Sequence, residues 1–537
     1  MMWYQNINPL NEQWLSALVA VLPILAFLLC LVAFKMKGIT AGIIALVLQI
    51  AIAIWPFSMP LASVAGAGFV GVLTAVWPIA YIIVLAVLLY RLTVVSGRFD
   101  TIRSSIAGIS ADQRIQVLLV SFGFGAFLEG AAGFGVPIAI CAALLVQLGF
   151  KPIKAAMLSL VANVAAGAYG AIGIPVIVAA KVGGVNQADL SFDLVLVLQL
   201  ISFATPFILV MILDGWRGFR ETFPITLAVS VTYSASQAGL LIFLGPEFAD
   251  ILPGLLAMIM IVVVGRFWTP STIYREGGTP VPEATNESFK KILVAWSPFY
   301  ILTAAIFVWS MPVFKALFSA GGALSWLVIK FPLPGVTGVI VPSGAAAAST
   351  ATWAFTPVNA TGTAILVAII ITFLTTPQLR FTDVIKTFNE TMSDLWRSIV
   401  LIALILALAN IANLSGGTAS IGNALAGVGI AFPFLSPIIG WFGVFITGSV
   451  VNSNTLFAQL QSITAAKISV NPTLLVAAST AGGAVAKVIS PQSIAIAAGA
   501  VGLTGQEGDI LRSALKYSLG MLVFLCATVM ILSLVIG

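Results

Sequence analysis

The chain of 537 residues is 60% hydrophobic and only 8% charged, against about 25% charged residues in a soluble domain. Its 24 Lys+Arg and 18 Asp+Glu cannot clothe a water-facing surface of that size, so a large soluble protein is excluded. The net charge of +6 sits mostly in short loops between apolar runs, where it sets membrane orientation and does not point to nucleic acid.

A helix needs about 20 predominantly apolar residues to cross the hydrocarbon. In chain order, residues 15–34, 39–57, 70–89, 194–213, 255–264 with its flanks, 292–309, 364–374 with its flanks and 518–536 meet or approach that length. Residues 1–13 hold no Lys or Arg and so lack the basic start of a cleaved signal peptide. Lys35 and Lys37 follow the first run, and Arg91, Arg98, Arg103 and Arg114 follow the third. Together with Arg217, Arg220 and the 266–291 stretch, they place these loops in the cytoplasm and the N-terminus outside. Glu247 and Asp250 are expected in an external loop. Asp394 and Arg397, spaced i, i+3, look like an interfacial pair, and Asp214, Arg217 and Arg220 like a loop cluster.

Absences narrow the chemistry further. Cys30, Cys141 and Cys526 all lie inside apolar stretches, so neither a disulfide framework nor a metal site is expected. With no histidine, a proton path must run through carboxyl groups, water or substrate. No GxxxxGK[ST] motif occurs, which disfavours an ATP-driven pump. No cofactor is expected, and no recognisable catalytic constellation supports an enzyme.

The polar segment 268–291, rich in Pro, Gly and Thr, reads as a cytoplasmic linker between a first transmembrane repeat (1–267) and a second (292–537). The halves resemble each other: FGAFLEG at 124 matches FGVFITG at 442 (442 − 124 = 318), and NVAAGAYGAIGIP at 163 matches STAGGAVAKVISP at 479 (479 − 163 = 316). Duplicated halves with interrupted apolar segments point to the binding site of a secondary transporter. The glycines and proline between 123 and 137 would weaken a lipid-facing helix but suit a helical hairpin at about 115–149. The polar break GSVVNSNT (448–455) marks a second hairpin at about 432–466, entering from the opposite face. The expected fold is therefore all-α: a polytopic membrane protein of about 12 transmembrane helices plus two helical hairpins, in two inverted repeats.

Hairpin tips and broken helices offer free N–H groups and positive dipole ends to a small anion. Gly130 and Gly133 at the first tip, Asn163 and Tyr169 in the 163–175 segment, and Ser449, Asn452, Ser453, Asn454 and Thr455 at the second tip form the expected substrate-binding set. Ser490, Gln492 and Ser493 in the SPQS break complete it. For any one of these, a cap or helix–helix hydrogen bond is as good an explanation. Glu129 is the expected proton carrier, because an intramembrane carboxylate is costly and defaults to function. Lys487 could pair with the substrate carboxylate or with Glu129, or could snorkel to the interface.

Several segments, FGAFLEGAAGFGVPIAI (124–140), ILDGWRGFRET (212–222), AWSPFYILTA (295–304), ATGTAIL (360–366) and KVISPQSIAIAAGAVGL (487–503), resemble the L-lactate permease family, and the similarity runs essentially end to end. The resemblance implies proton symport of L-lactate, D-lactate and glycolate across a bacterial inner membrane. It also implies an Asp in the second hairpin where this chain has Val450. The remaining SNT (453–455) resembles the tip of sodium-coupled carboxylate carriers, so Na⁺ stands as the alternative coupling ion to H⁺, and a passive anion channel as the alternative class. The expected partners are the small-molecule substrate and membrane lipid, with a homodimer left open.

Overall fold

In lipid, each backbone N–H and C=O has to be satisfied within the protein, and the apolar runs of this chain achieve that as helices. The computed structural model describes all residues except 1, 35, 108, 134, 277–287, 344–346 and 537. Lys35, Phe134 and the middle of the 268–291 linker therefore lie outside the described residues. Among those described, eight helices are long and apolar enough to cross a membrane, and a pair bent by 50° (Phe289–Ala295 and Ser297–Ser310) makes a ninth. The protein is mostly helical and multi-pass.

Helices Gln13–Val32, Gly38–Ile54, Leu61–Thr74 and Phe381–Ser415 pack on one another around their own apolar clusters. Small residues allow this. A Cβ on Gly71 would run into the backbone of Ala407. The larger core, built around Phe122, Phe124, Phe127 and Tyr233, surrounds two helix pairs that turn back on themselves.

In the first pair, Gln113–Ala131 is followed by Val136–Gln147. Gln113 Nε2 donates to the Leu148 carbonyl (3.4 Å), and Cys141 Sγ to that of Val120 (3.1 Å), so the arms run antiparallel. Gly133 (φ 59°) and Gly135 (φ 84°) make the turn in a left-handed backbone that suits glycine. In the second pair, Phe432–Thr447 reverses at Gly448 (φ 70°) into Val450–Lys467. Gln461 Nε2 reaches the Ser436 carbonyl (3.4 Å) and Ser453 Oγ that of Gly440 (3.3 Å), again across antiparallel arms.

Two other helices are interrupted. Pro152–Ala162 continues as Gly170–Gly183 only after a coil, and Ala171, Ile172 and Gly173 all carry positive φ. Pro472–Ala486 continues as Pro491–Ala500 after a break at Lys487–Ser490. The 57-residue helix Gln187–Phe243 would be about 85 Å long if straight. It folds back at Gly215 (φ 61°), and Gln199 Nε2 donates to the Ser234 carbonyl (2.7 Å) between the arms.

Three local expectations fail. The chain is not entirely helical: Trp3–Tyr4 pairs in parallel with Ile340–Val341, and Ile329–Pro332 antiparallel with Thr352–Phe355. Asp394 pairs with Arg91 at 2.6 Å across helices, while the Arg397 guanidinium lies over Trp396. Arg114 is not a loop charge but fully buried, bonded to Asp112 (2.8 Å), Asp214 (2.9 Å) and Glu221 (2.8 Å). It gathers Asp214 into a network that also includes Arg217, bonded to Glu221 at 2.9 Å.

Candidate functional site

Both turns and both breaks meet at one place. A cavity of about 60 Å³ is lined by Glu129, Gly133 and Gly135 from the first hairpin, and by Gly167, Gly170 and Ala171 from the first broken helix. Ser449, Val450 and Val451 line it from the second hairpin, and Lys487, Gln492 and Ser493 from the second broken helix. That volume holds a few water-sized groups, the scale of a small organic acid.

Glu129 and Lys487, from opposite halves of the chain, face each other on its wall. Lys487 Nζ donates to Glu129 Oε1 at 2.5 Å, and Asn163 Nδ2 donates to Oε2 at 2.9 Å. Glu129 is 1% exposed and Lys487 9%, so this is a buried pair and not a snorkelling lysine. Such a pair persists only when hydrogen bonds satisfy its remaining atoms, which Asn163 does in part. Gly170 makes the approach possible, since a Cβ there would collide with Glu129 Oε1.

Three helices begin on the cavity. Gly135 precedes Val136–Gln147, Ser449 caps Val450–Lys467 by accepting from Asn452 N–H (3.4 Å), and Ser490 caps Pro491–Ala500 by accepting from Ser493 N–H (3.2 Å). Their first turns aim positive dipole ends into the same space as the Lys487 ammonium. Such an arrangement attracts a small anion.

The expected residues divide. Glu129, Gly133, Ser449, Lys487, Gln492 and Ser493 line the cavity, whereas the others do not. Gly130 packs against Asp250 and Ile251. Asn163 holds Glu129, and Ser490 is engaged with Ser493 Oγ at 2.8 Å. Ser453 and Thr455 are spent on the carbonyls of Gly440 and Val451. Asn454 ties the halves together, donating to the Pro175 carbonyl (3.0 Å) and accepting from Thr480 (3.1 Å). Asn452 and Tyr169 are buried near the cavity without lining it, and Asn452 Oδ1 and the Tyr169 hydroxyl have no partner among the described residues. Val450, where the family resemblance implies an Asp, is on the cavity wall.

Sequence reasoning missed Asp250, which was expected in an external loop with Glu247. Both are buried, at 1% and 6% exposure, and Asp250 packs against Gly130, the residue after Glu129. The surrounding GPEFAD has the composition of a surface turn, and nothing in it signals burial. Among the described residues no group of His, Cys, Asp and Glu could hold a metal ion.

The family profile described as L-lactate permease matches residues 16–536. The L-lactate permease of Halalkalibacterium halodurans is 47% identical over 536 residues, covering 99% of this chain and 100% of that one. The glycolate permease GlcA of Escherichia coli K12 is 43% identical (96% and 95% covered), and the L-lactate permease of the same strain 42% (98% and 96%). Among solved structures, the Alcanivorax borkumensis YdaH transporter aligns with a TM-score of 0.45 at 13% identity, covering 84% of each chain. With matches this close along its whole length, the chain belongs to the L-lactate permease family.

Proposed function

We propose that this protein is a secondary active transporter that moves L-lactate or a related 2-hydroxymonocarboxylate, such as D-lactate or glycolate, together with a proton across the bacterial inner membrane. The names of its relatives support the substrate class. The observation that carries the mechanism is the buried Glu129–Lys487 pair on the wall of a cavity faced by three helix N-termini.

Charge balance then couples the two solutes. In the empty site Lys487 and Glu129 neutralise each other. An incoming carboxylate takes the Lys487 ammonium and the helix N-termini, which leaves Glu129 as an unpaired buried anion, a state costing several kcal/mol. Taking up a proton removes that cost, so substrate and proton enter together. Ser449, Gln492 and Ser493 stand where they can hold the 2-hydroxyl. In this scheme the halves 1–267 and 292–537 are inverted repeats of about 12 spans in all, with the N-terminus outside, and they rock around the fixed site.

The test is uptake by purified protein in liposomes. Glu129→Gln should abolish accumulation driven by a pH gradient while lactate–lactate exchange persists. Full uphill accumulation by that variant would remove Glu129 from the coupling. A wild-type protein that accumulates lactate on a Na⁺ gradient without a pH gradient would assign the coupling to sodium instead.

A further inference from the structure

The Glu129–Lys487 pair is electrically closed, yet a second carboxyl is buried behind it. Asp250 stands just before Ile251–Phe267 and packs on Gly130, the residue after Glu129. It is 1% exposed, and Glu129 and Lys487 both act on it electrostatically. The long helix Gln187–Phe243 brings Tyr233 and Gln237 to it, and the first broken helix brings Tyr169.

Its hydrogen bonds are too few to satisfy a buried carboxylate anion. Gln237 Nε2 lies 3.5 Å from Asp250 Oδ1, and is shared with the Ala165 carbonyl, the Ala249 carbonyl and the Tyr233 hydroxyl, each at 3.1 Å. Asp250 Oδ2 and the Tyr169 hydroxyl have no hydrogen-bond partner among the described residues. Among the described residues no cation is bonded to Asp250, and the Lys487 ammonium is taken by Glu129. A buried carboxylate without a paired cation or several donors is too costly to persist. One positive and two negative groups would leave the site with a net charge. A protonated Asp250 leaves none.

We propose that Asp250 is the proton relay of the site: it holds a proton when the cavity is empty and passes it to Glu129 when an incoming carboxylate takes Lys487. The proton leaves the Asp250 carboxyl and binds the Glu129 carboxylate, and Asp250 is then reprotonated. Before the cycle the site holds protonated Asp250, anionic Glu129 and cationic Lys487. Loaded, it holds protonated Asp250, protonated Glu129, cationic Lys487 and the substrate anion. Both states are neutral, and one proton accompanies each carboxylate. Ile251–Phe267 runs about 25 Å from Asp250 to the linker.

This inference rests on the symport reading, and the experiment separates the two. Wild-type protein in liposomes should alkalinise the outside medium when lactate is added, and absence of that signal would sink the symport reading itself. Given the signal, Asp250→Asn should slow lactate-driven proton uptake roughly tenfold while retaining lactate exchange. Tyr233→Phe, which keeps the ring and loses only the hydroxyl, should displace the pH at half-maximal rate by about half a unit or more. Should Asp250→Asn fail to fold, the Tyr233→Phe profile decides alone. A coupled wild type with an unmoved pH profile in Tyr233→Phe, or with full proton uptake in a folded Asp250→Asn, overturns the relay and leaves the symport reading standing.

Discussion

Glu129 holds its place because Gly170 has no side chain. The carboxyl fills the space a Cβ would occupy, and this lets it reach both Lys487 and Asn163. Gly170→Ala should displace Glu129 while leaving the fold in place, since the collision is with the tip of one side chain. Uptake should fall about tenfold or more, the equivalent of roughly 1.4 kcal/mol of lost site stabilisation. Size-exclusion elution and melting of the purified variant should match the wild type, and normal uptake by it would show that the contact is slack. At this scale the sequence was legible where a charge interrupts an apolar run, as at Glu129 and Lys487. The polar residues around them divide, Ser449, Gln492 and Ser493 on the cavity and others not, because a hydroxyl reads the same from sequence whether it faces a cavity or its own helix. Thr455 and Ser453 belong to the second kind.

Among the elements, the first hairpin depends on its base as much as on its tip. Arg114 donates to three carboxylates and to the Thr272 carbonyl at 2.7 Å, joining the hairpin to both arms of the long helix and to the linker. Removing one partner of a buried ionic network strands the others. Arg114→Met should therefore cost about 3–5 kcal/mol. A fall in melting temperature of purified protein measures this, and a variant as stable as wild type would mean that the carboxylates find other partners. The hairpins themselves were readable from their glycines, since each left-handed turn needs them. The strands at 329–355 were not. Ile329–Pro332 lies exposed along its whole length, so no alternation of buried and exposed residues existed to be read.

For the whole molecule, composition fixes the solvent: so few charges over so many residues leave only a membrane. How the pieces close is decided by contacts far apart in sequence. The linker, expected as a plain connector, instead stitches the hairpin base. Arg275 donates to the carbonyls of Ala111 and Leu148, both at 2.9 Å, and Glu276 N–H to Gln113 Oε1 at 2.6 Å. Burial opposes the charge on Glu276, but the ammonium of Lys154 at 3.0 Å and that of Lys151 at 3.5 Å outweigh it and hold the carboxyl below the usual glutamate range. A carboxyl depressed in the folded state stabilises it above the unfolded pKa of about 4.3, and the contribution is lost as pH falls through the lower folded value. Pepsin cleavage of the linker should thus rise only below about pH 4, and in Glu276→Gln it should already be high above that range. Equal cleavage of both proteins at every pH would mean that the ion pairs do not fasten the segment.

The parallel pairing of Trp3–Tyr4 with Ile340–Val341 sets an order of assembly. A ribosome moving at about 5–20 residues per second delivers the second strand tens of seconds after the first. During that interval the earliest residues have nothing to pair with, although the helices that follow them can already be in lipid. The small sheet is thus a late latch, closed only when most of the polypeptide has been made, and it fastens the beginning of the chain to the part that arrives after the linker.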